Sequence, residues 1–66
     1  MPYNSNEELP DPIKHVLPEK AQTIYRKTFN SAYKQYGSEV TAIKVAWAAV
    51  KHGYEKKGDK WVKRKS

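Results

Sequence analysis

The sequence has no cysteine and only two histidines, His15 and His52, so neither a disulfide framework nor a cysteine-based metal site holds the chain together. Its longest apolar run is the six residues from Val45 to Val50. A membrane span needs about twenty consecutive apolar residues, and a secretory leader needs a charged segment feeding an apolar stretch. Neither pattern is present. Also missing are a nucleophile with a base and an orienting acid, a His-Glu-x-x-His pair, and an acidic loop with the spaced oxygens that calcium requires. Glu7 and Glu8 sit side by side on a polar segment, a poor setting for two carboxylates with separated pKa values. His52 and Glu55 have helical i, i+3 spacing, but Gly53 lies between them, and a solvated histidine near a helix C-terminus is the better reading. The expectation is a non-enzymatic chain with no catalytic residue, no cofactor and no metal ligand. The absence of cysteine fits a reducing, cytoplasmic setting.

What the chain does have is a very uneven charge. Its 66 residues carry a formal +6. Residues 1–50 hold six basic side chains against five acidic ones, whereas 51–66 hold seven (Lys51, Lys56, Lys57, Lys60, Lys63, Arg64, Lys65) against Glu55 and Asp59. Most of the net charge therefore sits in the last quarter of the chain, and a partner of that end should be acidic. A chain this short makes one domain and buries one core, so well-packed helices must supply the stability. A soluble monomer is expected.

Residues 1–10 are polar and lack period, which reads as an extended N-terminal arm with Tyr3 as its only large apolar anchor. Asp11-Pro12 predicts a helix start, with the carboxylate capping and proline at the first helical position. That short helix, 12–16, ends at Leu17, because the residue before a proline is pushed out of the helical region. Pro18 then opens a long helix to Tyr36. Positions 21, 24, 25, 28, 29, 32, 33 and 36 are apolar except Thr28, while 22, 23, 26, 27, 30, 31, 34 and 35 are all polar, a 3.6-residue period. Ile24, Tyr25, Phe29, Tyr33 and Tyr36 read as core. Gly37 suits a left-handed helix end and Ser38 a cap for the next helix. A third helix, 39–52, puts Val40, Ile43, Trp47 and Val50 on one stripe, widened by alanines, with Gly53 as its C-cap. Tyr54–Lys57 and Lys60–Lys63 flank Gly58-Asp59, which predicts a hairpin over 54–63 with Tyr54, Lys56, Trp61 and Lys63 on one face. Arg64, Lys65 and Ser66 form a basic tail expected to be mobile. The fold class is thus mainly α: a compact bundle of three helices, with its core over 12–52, and a small C-terminal β-hairpin.

Several blocks of this sequence carry a family likeness. Met1-Pro2-Tyr3, the Leu9-Pro10 and Leu17-Pro18 pairs, Ala21-Gln22 with Tyr25 and Phe29-Asn30, the run from Lys44 to His52, and Gly58-Asp59-Lys60-Trp61 together resemble the ChaB family of cation transport regulators. The likeness spans nearly the whole chain as one ChaB-like domain, and the Ala-Trp-Ala-Ala-Val-Lys block is its most specific part. It implies a compact helical fold with a small β element and a role in regulating a cation (Na+ or Ca2+)/proton antiporter, and it brings no catalytic residues with it. Family members often carry a longer charged insertion where this chain has Gly37-Ser38, and a histidine at the position of Ile43.

The candidate partner-binding residues are Lys56, Lys57, Lys60, Trp61, Lys63, Arg64 and Lys65. Cations with an indole among them can meet a polyanion by charge and by stacking. The plainer reading is a solubilising tail with Trp61 folded back on the third helix. Three partner classes would use these charges: an acidic protein surface such as a cytoplasmic segment of a membrane antiporter, anionic lipid at roughly 1 kcal/mol per basic residue, or nucleic acid with a log-log salt slope near about -4. A protein partner is the leading expectation. A nucleic-acid-binding accessory module is the alternative, ranked lower because no helix-turn-helix or aromatic sheet consensus is present.

Overall fold

The computed structural model of the chain describes residues 3–64. Met1, Pro2, Lys65 and Ser66 lie outside the described residues, and with them the first two residues of the expected arm and most of the expected tail. The chain runs through a 3-10 turn (Asn6–Glu8), α1 (Asp11–Val16), α2 (Glu19–Tyr36), α3 (Glu39–Gly53), β1 (Tyr54–Lys57) and β2 (Lys60–Lys63). This is the mainly helical architecture with a C-terminal hairpin that the sequence pattern implies.

The two Leu-Pro pairs act as identical joints. Leu9 and Leu17 are extended, as residues before proline must be, and both are buried. Pro10 and Pro18 are the N-cap residues of α1 and α2. Each pair thus ends one element, drives a leucine into the core and starts the next helix. Asp11 is therefore inside α1 rather than its cap, and its carboxylate instead pairs with Lys14 at 3.5 Å.

α2 and α3 fold back on each other through Gly37 and Ser38. Gly37 has φ +65, the left-handed conformation that glycine tolerates best, and its N–H donates to the Tyr33 carbonyl at 2.8 Å. Ser38 Oγ accepts from the Thr41 N–H at 3.3 Å, capping α3. Gly53 differs from expectation: it is the last residue of α3, and Tyr54 is the C-cap.

The core unites Leu9, Leu17, Ala21, Tyr25, Phe29, Ala32, Ala42, Ala46, Val50 and Tyr54. Small and large residues interdigitate: Ala42 and Ala46, one turn apart on α3, leave room for the Tyr25 and Phe29 rings of α2. Burying each of Tyr25, Phe29 and Val50, the largest fully buried side chains, stabilises the fold by about 1.5–3 kcal/mol. This corrects the expected α3 stripe. Val40 is 63% exposed and Ile43 37%, because the alanine line faces α2 in their place. Tyr36, expected in the core, is 55% exposed at the end of α2, and Ile24 and Tyr33 are half-buried.

The N-terminal segment also departs from an extended, loosely held arm. It makes the 3-10 turn, seats Leu9 in the core beside the half-buried Tyr3, and is stitched to α2 by polar side chains. Asn30 Oδ1 accepts from the Tyr3 N–H at 2.8 Å and Asn30 Nδ2 donates to the Tyr3 carbonyl at 2.7 Å. Arg26 Nε donates to Asn6 Oδ1 at 2.8 Å, and Asn6 Nδ2 donates to Thr23 Oγ1 at 3.0 Å. Three of the eight polar-face residues of α2, Thr23, Arg26 and Asn30, are thereby spent on the chain's own first residues.

Candidate interaction surface

The surface is built outward from the end of α3. Tyr54 turns the backbone extended (φ -136, ψ 155) and buries its ring to 7% exposure, which ties β1 to the core. β1 and β2 pair antiparallel in the register Tyr54 to Lys63, Glu55 to Val62, Lys56 to Trp61 and Lys57 to Lys60. Gly58 takes φ +61 and among the described residues no non-glycine has a positive φ, the φ pattern of a tight II′ hairpin turn. The register places Tyr54, Lys56, Trp61 and Lys63 on the inner face, as expected, and Glu55, Lys57, Lys60 and Val62 on the outer one.

Trp61 is half-buried because its ring packs on Trp47 of α3, with centroids 5.5 Å apart and planes tilted by 36°. Trp47 in turn meets the buried Tyr25 edge-on at 5.4 Å and 73°. An unbroken file of rings thus runs from the core to the hairpin. Trp61 is folded onto α3, as the plainer reading expects, while the lysines around it stay exposed.

Lys56, Lys57, Lys60 and Lys63 are all exposed. Among the described residues the one ion pair is Lys14 to Asp11, and among them no carboxylate lies within pairing distance of these four cations. Lys57 and Lys60 are direct cross-strand partners on the outer face, an arrangement that destabilises a hairpin until an anion offsets it.

Arg64 has a different role from the one expected. Its N–H donates to the Gly53 carbonyl at 3.0 Å and its Nη1 to the Lys51 carbonyl at 3.2 Å. The guanidinium thus satisfies the open carbonyl end of α3, where a cation is favoured. It latches the hairpin to the helix and is not a mobile tail residue. Lys65 lies outside the described residues.

Beside Trp61 is an open cleft of about 540 Å³ lined by Val16, Trp47, Lys51, Lys56, Asp59 and Trp61. Trp61 also lines a second, apolar hollow, together with Pro18 and Lys20 at the start of α2 and Tyr54 and Val62 of the hairpin. Among the described residues there is no cluster of three metal-ligating side chains, and none of the helices is long and apolar enough to cross a membrane. The resolved pKa shifts belong to the core side: burial, then the charges of Tyr3 and Glu39, pushes the Tyr25 phenol up to about 12. Burial and Glu39 raise Tyr3 in the same direction.

The family model for ChaB matches residues 9–64, from the first buried leucine to the arginine latch. The chain belongs to the ChaB family. It is 51% identical to "Putative cation transport regulator ChaB" of Escherichia coli strain K12, over 97% of this chain and 99% of that protein. The protein of the same name from Shigella flexneri matches to the same extent. An NMR solution structure of a protein bearing this name superposes with a TM-score of 0.88 at 49% identity, covering 97% of this chain and all of that one.

In this ChaB-family chain, sequence reasoning singled out the hairpin cations and Trp61 but not the residues that share the cleft with Trp61. Lys51 was legible in principle, since it lies four residues after Trp47 on the same helical face. Val16 and Asp59 carried no local signal, because α1 and the turn reach the cleft only through the tertiary fold.

Proposed function

We propose that this chain is a non-enzymatic binding module that tunes a cation (Na+ or Ca2+)/proton antiporter by attaching to an acidic protein surface through its basic hairpin. The observation that carries this reading is the set of exposed cations Lys56, Lys57, Lys60 and Lys63 on a folded hairpin, none of them ion-paired among the described residues. The opposed Lys57 and Lys60 give that hairpin a standing electrostatic cost which a carboxylate-rich partner removes. The relatives named as cation transport regulators support a regulatory role. In this reading the module works in the cytoplasm as a monomer, and the selectivity of binding comes from shape as well as charge.

The test is a variant with Lys56, Lys57, Lys60 and Lys63 all changed to Gln. Arg64 is left intact because its bond to the Lys51 carbonyl is structural. The expected result is loss of binding to acidic peptides from antiporter cytoplasmic segments, by roughly 10-fold or more at low salt, with helix content by circular dichroism unchanged. Binding of the wild type to anionic vesicles or to an oligonucleotide, with none to the peptides, would overturn the protein-partner reading.

A further inference from the structure

The chain has two tryptophans, and the fold brings both to one cleft. Trp47 is fixed from beneath by its edge-on contact with Tyr25, while Trp61 arrives from β2 at 5.5 Å. Their 36° tilt leaves a wedge that opens to solvent, with Val16 of α1 also lining it. Lys51, one turn beyond Trp47, and Lys56, the cross-strand partner of Trp61, are both exposed and both line the same cleft. Two indoles and two lysines lining one cleft are complementary to a ring attached to negative charge.

We infer that this cleft receives an aromatic side chain from an acidic protein segment, with the ring against Trp47 and Trp61 and the flanking carboxylates on Lys51 and Lys56. The inference rests on the reading of the hairpin as a partner surface and names the anchor that gives the surface selectivity beyond charge. The volume of about 540 Å³ suits one ring with a short stretch of backbone. Asp59 is the one carboxylate lining the cleft. It sits in the hairpin turn and repels carboxylates there, so the acidic residues of the segment belong at the Lys51 and Lys56 side, and the segment has a preferred direction.

Both indoles line the site, so tryptophan fluorescence and the indole N–H resonances report occupancy without a label. The first probe is a short capped peptide with one phenylalanine between aspartates and glutamates; the second replaces that phenylalanine with alanine; the third is a single-stranded oligonucleotide. The phenylalanine peptide should shift both indole resonances and bind about tenfold or more tightly than the alanine one, the worth of burying one ring. Trp61→Ala should lower the first peptide to the level of the second and leave the second unchanged. Asp59→Asn should tighten binding of the phenylalanine peptide about two- to fivefold, by removing one like charge near the site. Should Trp61→Ala fail to fold, the two-peptide comparison on the wild type and the gain in Asp59→Asn decide the matter. Equal affinity for the two peptides overturns the cleft while leaving the basic surface standing. No binding of either peptide removes both. Tighter binding of the oligonucleotide than of the first peptide overturns the assignment to a protein segment.

Discussion

Tyr25 shows how much of this molecule depends on single side chains. Its ring is 1% exposed, lies 6.2 Å from Phe29 in a stacked arrangement, and supports Trp47 from below. Because burial holds its phenol neutral up to about 12, against an ordinary 10.0, the unfolded chain releases that proton first. Between those two values the unfolded state binds fewer protons than the folded one, so stability is intact below pH 10 and falls as pH rises toward 12. Thermal melts at pH 9, 10 and 11 should show this decline, and Tyr25→Phe should flatten it. An unchanged slope in Tyr25→Phe would mean another group controls alkaline unfolding. At the same scale, Asn30 was legible only as a polar position on a polar face. Nothing in its local sequence shows that its amide pairs with both backbone groups of Tyr3, 27 positions away.

Among the elements, the three glycines separate into two kinds. Gly37 and Gly58 have φ of +65 and +61, whereas Gly53 does not have a positive φ, and a Cβ at any of the three would meet nothing within 4 Å. Space is therefore no obstacle, and backbone conformation alone decides the sign. Gly37→Ala should destabilise the protein by about 1 kcal/mol through the left-handed penalty. Gly53→Ala, at the last position of α3, should stabilise it by about 0.4–1 kcal/mol by restricting the unfolded chain. Urea denaturation of the two variants checks both, and like signs would contradict this account. The elements themselves were plainly written in the sequence: the 3.6-residue period of α2, the proline joints and the Gly58 turn each rest on local chemistry. The orientation of α3 was not. Its apolar residues cover most of its circumference, so period cannot say which line faces inward; that depends on Ala42 and Ala46 admitting the α2 rings, a property of the pair of helices.

For the whole molecule, the separation of apolar core from cationic end holds, with two qualifications. Trp61 belongs to both, and Arg64 belongs to the scaffold. The hairpin is joined to the helices by the Tyr54 ring, the Trp47–Trp61 contact and the two Arg64 bonds. Hydrogen exchange should accordingly show the hairpin opening at lower cost than the α2–α3 core. Arg64→Gln should speed exchange of β1 and β2 amides several-fold, since roughly 1 kcal/mol of charge-assisted hydrogen bonding is lost, with α2 amides unaffected. The basic end itself was evident from composition, and the cleft beside it was not, because four of its lining residues, Val16, Trp47, Lys51 and Asp59, come from α1, α3 and the turn.

The antiparallel register has a consequence of its own. Side chains alternate along a strand, so sliding β2 by one residue would exchange its two faces. Val62 would turn toward the helices, Trp61 would swing into solvent, and the Arg64 amide would leave the Gly53 carbonyl. The aromatic wedge and the clamp on α3 would vanish in the same step. Under the proposed function, recognition by this end is all-or-none: the hairpin is either in phase with the helices and competent, or out of phase and without a site.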